Sequence, residues 1–207
     1  MARLMAGQGG NKEGVVGITG FIGSGKSRVS RFLASRLAWP CLEADRIARD
    51  LMQPGEPGWL AVREYDHKYI RPDGRLDRPL LRQDIFSDPQ VKRAVDGRIH
   101  PLVRAKLQEL LGPGGRALVE VPLLFEAGWD AFFGRIILVY ADYDTCLQRV
   151  MARDRVTAQQ ARQAYQCQMP AMEKIKRAHH VIDNSGAWWN TQLQLLHLLD
   201  ILSGRRV

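Results

Sequence analysis

The chain has 207 residues, 45% hydrophobic and 25% charged, with a formal net charge of +8. That size and balance suit one folded α/β domain with appended segments, and no run of about eighteen apolar residues is present to span a membrane. Cys41, Cys146 and Cys167 are far apart, which argues against a zinc site or a disulfide framework and for a reducing, cytoplasmic setting. Residues 1–13 are polar and glycine-rich, lack the apolar core of a signal peptide, and are expected to form a flexible tail.

The first predicted strand is Val15–Ile18, a short apolar run. It leads into Gly20-Phe21-Ile22-Gly23-Ser24-Gly25-Lys26-Ser27, which matches the phosphate-cradling pattern G-x-x-x-x-G-K-[ST]. Downstream, Val29, Phe32, Leu33 and Leu37 share one helical face, so the pattern lies between a strand and a helix as the chemistry requires. The glycines let successive N–H groups turn toward an anion, and the helix start adds its positive end. The expected ligand shell for a triphosphate is Gly23, Ser24, Gly25, Lys26, Ser27 and Arg28. Within it, Lys26 is assigned to the β- and γ-phosphates and Ser27 to Mg²⁺.

Pro40 limits the next segment to a short strand ending at Glu43 and Asp45. Carboxylates at that end of a parallel strand face the ligand side, which makes Asp45 a candidate base; capping a helix over 46–52 is the plainer role. Helices are then expected over 59–70, around 80–85, and from Asp88-Pro89 to about Leu111, the last kinked or divided at Pro101. Residues 53–115 therefore read as a helical insertion without strands, suited to hold a phosphoryl acceptor.

Ala117–Val121 and Arg135–Tyr140 read as buried strands. A helix after Asp142 carries Arg149 and Arg153 on one face, and Thr157 with Gln160 has the spacing of a capping box. A fifth strand over 179–183 and a final helix with Trp188, Leu195 and Leu199 complete the pattern. His179 and His180 alternate across a strand and make a poor metal pair. The resulting expectation is a three-layer α/β fold with a parallel sheet of about five strands. A helical insertion and a short helical lid over 142–170 are added to it. Basic residues are interleaved with acids along the chain, which favours anionic small molecules over nucleic acid or membrane.

With these residues in view, the chain resembles the dephospho-CoA kinase family from about Val15 to Asn184. The resemblance is carried by the P-loop, Glu43-Ala44-Asp45, Leu76-Asp77-Arg78, Ile99-His100-Pro101-Leu102, Val121–Glu126 and Val181–Asn184. It implies ATP-dependent phosphorylation of the 3′-hydroxyl of the dephospho-CoA ribose, with Mg²⁺. It also implies Asp45 as base, and Arg149 and Arg153 as lid arginines on the triphosphate. Arg82 and His100 are candidates for the acceptor, each with a plainer role as a helix-surface charge or a packed ring. Glu126 is expected to pair with a basic group or to cap the segment after it. A monomer or weak homo-oligomer is expected. Glu43 stands where the family has an aspartate, and Arg28 where a threonine is common. The alternative is another small-molecule kinase, acting for example on a nucleoside monophosphate. A guanine-nucleotide switch lacks N-K-x-D and D-x-x-G at usable positions.

Overall fold

The computed structural model describes residues 14–204 and divides into two compact units, each treated by itself. The expected tail over 1–13 lies outside the described residues. Among the described residues, one unit comprises 14–42 and 113–204; the other runs from Glu43 to Gly112.

The first unit is built on a five-stranded sheet in the order β2-β3-β1-β4-β5. Its strands are β1 (Val15–Gly20), β2 (Cys41–Glu43), β3 (Ala117–Glu120), β4 (Arg135–Tyr140) and β5 (His180–Asp183). β1 pairs in parallel with β3 and β4, and β4 with β5. Central β1 and β3 are buried throughout, which is why they read as apolar runs without alternation. Val16, Ile18, Leu118, Ile137, Val139 and Ile182 pack against Val29 and Leu33 of α1 (Lys26–Leu37) and Leu195 and Leu198 of α9 (Trp188–Ser203). β1 connects onward to β2, on the far side of β3, while β4 flanks its other edge. The loop after β1 thus opens at the crevice where strand order reverses, the usual ligand position in such sheets.

Around the rest of this unit lie α6 (Tyr143–Asp154), α7 (Ala158–Gln166) and α8 (Ala171–Arg177). The Asp142 carboxylate caps α6, and Thr157 with Gln160 forms the expected capping box of α7.

The second unit is helical: α2 (Ala44–Leu51), α3 (Pro57–Tyr65), α4 (Arg78–Ser87) and α5 (Pro89–Leu111). It begins at Glu43, earlier than the insertion expected from residue 53. One helix expectation is corrected, and of the two outcomes expected at Pro101 division is not seen. The helix expected over 59–70 ends at Tyr65, and a 3₁₀ turn His67–Tyr69 follows, because the Asp66 carboxylate accepts from Lys68 N and starts a new cap. Pro101 does not divide α5, which continues to Leu111. The carbonyl crowded by the proline ring belongs to Gly97, the residue best able to yield.

Candidate active site

The loop between β1 and α1 is held open by backbone geometry. Gly23 and Gly25 have φ of 79° and 90°, in the left-handed region. A Cβ on Gly23 would meet Cys146 O at 2.4 Å, and one on Gly25 would meet Asn184 Nδ2 at 2.3 Å. No larger residue fits either position. Asn184, buried just past β5, donates to Ser24 O at 2.7 Å while its own Oδ1 accepts from Thr191 Oγ1 at 3.0 Å. The loop is thus tied to the far strand of the sheet.

Lys26 Nζ donates to Gly20 O and Phe21 O, both at 2.9 Å. Its pKa falls to about 8, first because burial strips water from the ammonium and next because Lys174 lies nearby. One residue on, Ser27 Oγ donates to Glu120 Oε2 at 2.9 Å, and Ser30 Oγ donates to the other oxygen of the same carboxylate. Glu120 ends β3 and is buried. A hydroxyl and a carboxylate therefore share one place at the base of the loop. Such hard oxygen donors suit Mg²⁺ that keeps waters and phosphate oxygens as its other ligands.

Arg149, on α6, is half-buried with its Nη1 unpartnered. That atom lies 3.9 Å from where a Gly25 Cβ would be, so a cation stands at the mouth of the loop. Arg153, one turn further, donates through Nε and Nη2 to Asp154 at 2.7 and 2.8 Å. The Arg28 guanidinium stacks on the Trp188 ring at 3.9 Å. Trp189 is exposed, so the two adjacent indoles divide into a packed ring and an open one.

A second layer lies under the loop. Phe21 stacks on Tyr165 at 4.5 Å between centroids, Ile22 N donates to Gln168 Oε1 at 2.9 Å, and Lys174 Nζ lies 4.7 Å from the Phe21 ring centroid. Lys174 is fully buried and pairs with Glu126 at 2.8 Å. Burial opposes ionisation of Glu126, but Lys174 and Met169 N together hold its carboxyl below the ordinary range. The expected basic partner of Glu126 is therefore Lys174.

The remaining candidates belong to the helical unit. Asp45 sits in the exposed first turn of α2, whose N-cap is Glu43, so Asp45 is not the cap; its carbonyl accepts from Arg49 Nε at 3.2 Å. Arg82 is exposed on α4 with its guanidinium 5.6 Å over the Phe86 ring. His100 Nε2 lies 3.6 Å from Asp96 Oδ1, and burial keeps the imidazole pKa below its usual value. Among the described residues no group of three or more His, Cys, Asp or Glu side chains could hold a metal. No helix among them is long and apolar enough to cross a membrane.

The model of the dephospho-CoA kinase family matches residues 14–189. The chain belongs to that family. A dephospho-CoA kinase of Symbiobacterium thermophilum is 37% identical over 87% of this chain and 78% of its own length. One of Carboxydothermus hydrogenoformans is 37% identical over 89% and 92%. Among solved structures, a Thermus thermophilus protein titled TT1252 superposes with a TM-score of 0.79 at 33% identity, covering 93% of this chain and 98% of its own. The chain is a kinase with a P-loop α/β fold, as the strand–loop–helix unit and the five-stranded sheet had implied.

Four residues of this site escaped the local pattern of the sequence. Glu120 is a lone acid closing an apolar strand, and the strand-end argument that singled out Asp45 applies equally to it. Asn184 entered only as a matching turn residue. Lys174 and Gln168 carry no local signal, since only the fold brings them to the loop.

Proposed function

We propose that this chain transfers the γ-phosphoryl group of ATP to the 3′-hydroxyl of dephospho-CoA, giving coenzyme A and ADP. The observation that carries the reading is the joining of Ser27 and Glu120 beneath a P-loop whose mouth holds Lys26 and the unpartnered Arg149. Phosphoryl transfer needs positioning and charge neutralisation above all, and these groups provide both. Lys26 exchanges backbone carbonyls for the β- and γ-phosphates, with the loop N–H groups of Gly23 to Ser27 around them. Arg149 offsets charge on the transferred group. Arg153 joins it by leaving Asp154, and Arg28 contacts the nucleotide from its seat on Trp188. Ser27 and Glu120 would hold Mg²⁺, which when bound would neutralise phosphate charge. Asp45 orients the ribose hydroxyl and takes its proton. Arg82 and His100 contribute to the acceptor side. A cytoplasmic setting suits three cysteines that form no disulfide.

The test is ADP release in Mg²⁺ against dephospho-CoA, a nucleoside monophosphate and shikimate, with product masses. Turnover confined to dephospho-CoA, one phosphoryl group heavier in the product, is expected. Turnover with a different acceptor alone would overturn the assignment. In the same assay Asp45→Asn should lower kcat by about two to four orders of magnitude while ATP binding stays within a few-fold.

A further inference from the structure

The helical unit contains a cavity of about 550 Å³ that is lined by none of Asp45, Arg82 and His100. Five arginines line it: Arg46, Arg49, Arg71, Arg75 and Arg78. Asp50 is its one acidic lining residue. This is not a sample of the unit's average charge. Residues 43–112 hold thirteen Lys or Arg against twelve Asp or Glu, so the cavity concentrates cations in a nearly neutral body.

The cluster is built, and most of its charge is left available. α2 presents Arg46 and Arg49 three residues apart, on one helical face. The turn 71–75 supplies two more. It is closed by Arg71 N donating to Arg75 O at 2.8 Å and Gly74 N to Arg71 O at 2.9 Å, and Trp59 Nε1 pins it by donating to Gly74 O at 3.0 Å. Arg78 Nη2 donates to Arg49 O at 3.1 Å and Arg49 Nε to Asp45 O, so backbone carbonyls set the two guanidiniums without cancelling their charge. Arg71 is the exception, forked onto Asp77 at 3.2 and 3.3 Å. No carboxylate among the described residues forms an ion pair with Arg46, Arg49, Arg75 or Arg78. Like charges held together around a cavity repel one another, and the arrangement is relieved by a compact polyanion. Planar guanidinium forks match adjacent phosphates in geometry as well as charge.

We infer that this cavity binds a diphosphate group. On the reading that the chain phosphorylates dephospho-CoA, which this step rests on, the group is the diphosphate that joins the acceptor's adenosine to its pantetheine arm. That role then falls to Arg46 and Arg75 more than to Arg82, whose guanidinium lies over Phe86.

The test is calorimetric titration with inorganic pyrophosphate in metal-free buffer, on the full-length protein carrying Lys26→Ala to remove the P-loop's phosphate-binding charge; the kinetic readings below keep Lys26. A one-site isotherm is expected. It should weaken about ten- to hundredfold in Arg46→Ala and in Arg75→Ala, recover most of its strength in Arg75→Lys, and be unmoved by Arg93→Ala on α5 outside the cavity. Melting curves check that each variant is folded. No saturable isotherm, or one indifferent to Arg46 and Arg75, overturns the site. Dephospho-CoA should displace pyrophosphate, and its KM should rise in the two alanine variants while KM for ATP stays. Arginine-dependent pyrophosphate binding that dephospho-CoA fails to displace overturns the acceptor assignment. A wild-type enzyme that ignores dephospho-CoA as a substrate sinks the proposed function instead, and the isotherm still decides the site.

Discussion

Lys26 carries a charge that its buried surroundings do not favour. Its pKa of about 8 lies below the ordinary lysine value of 10.5, so between those values the unfolded chain holds more protons than the folded one. Through that window this group makes the protein more stable as pH rises; below about 8 the full cost of a buried ammonium is present. A bound triphosphate reverses the preference, since its negative charge favours the ammonium and raises the pKa. Nucleotide binding should therefore take up protons near pH 8.5, take up almost none through this residue near pH 7, and weaken as pH climbs past 8. Calorimetry of a non-hydrolysable ATP analogue in buffers of different ionisation enthalpy measures that uptake, and Lys26→Met should abolish it. Equal uptake in the variant would assign the proton elsewhere. Lys26→Ala should also lower kcat by about two to three orders of magnitude, the loss typical of removing one preorganised donor from developing charge.

At the scale of elements, α8 reaches the loop after β1 through Lys174. Its buried ammonium lies against the Phe21 ring and pairs with Glu126, and its charge is the second cause of the lowered Lys26 pKa. Lys174→Ala leaves Glu126 without its partner and should cost about 3–5 kcal/mol in denaturant unfolding, the range for breaking a buried pair. Lys174→Met with Glu126→Gln removes both charges and should recover most of that loss while moving the Lys26 pKa upward. If the single and double variants are equally unstable, the ion pair is not what fastens α8. The same elements explain how far the sequence could be read. The P-loop and the Thr157–Gln160 capping box are local patterns and were legible. Ser27 and Glu120 are 93 residues apart, and Ile22 and Gln168 are 146 apart, so no window contains either pair. The early end of α3 had a local cause as well: the Asp66 cap competes with helix continuation. The strand–loop–helix unit was thus visible, while the residues that hold its loop in place were not.

For the whole molecule, the proposed function and the inferred cavity site assign two kinds of phosphate chemistry to the sheet unit and the helical unit. On the proposed function, the sheet unit would bind anions by backbone N–H groups at a helix start, reinforced by Lys26 and Arg149. The helical unit offers side-chain guanidiniums around a cavity. Ligands recognised by different units should protect different backbone amides when each is added alone. With a non-hydrolysable ATP analogue, hydrogen exchange should slow over residues 20–30 and along α6. With dephospho-CoA alone, it should slow over α2 and residues 71–78, where burial of the arginine turn restricts local opening. The effect in each unit should reach about tenfold or more at ligand concentrations well above Kd, because protection by binding grows with the ratio of ligand to Kd. Mass-spectrometric exchange on the intact chain resolves these peptides. If both ligands protect the same set, the two units act as one recognition surface and the assignment of separate sites fails. If dephospho-CoA protects α4 and α5 around Arg82 and His100 but leaves 71–78 unchanged, the acceptor lies on the face first suggested by the sequence and the arginine cavity serves another anion.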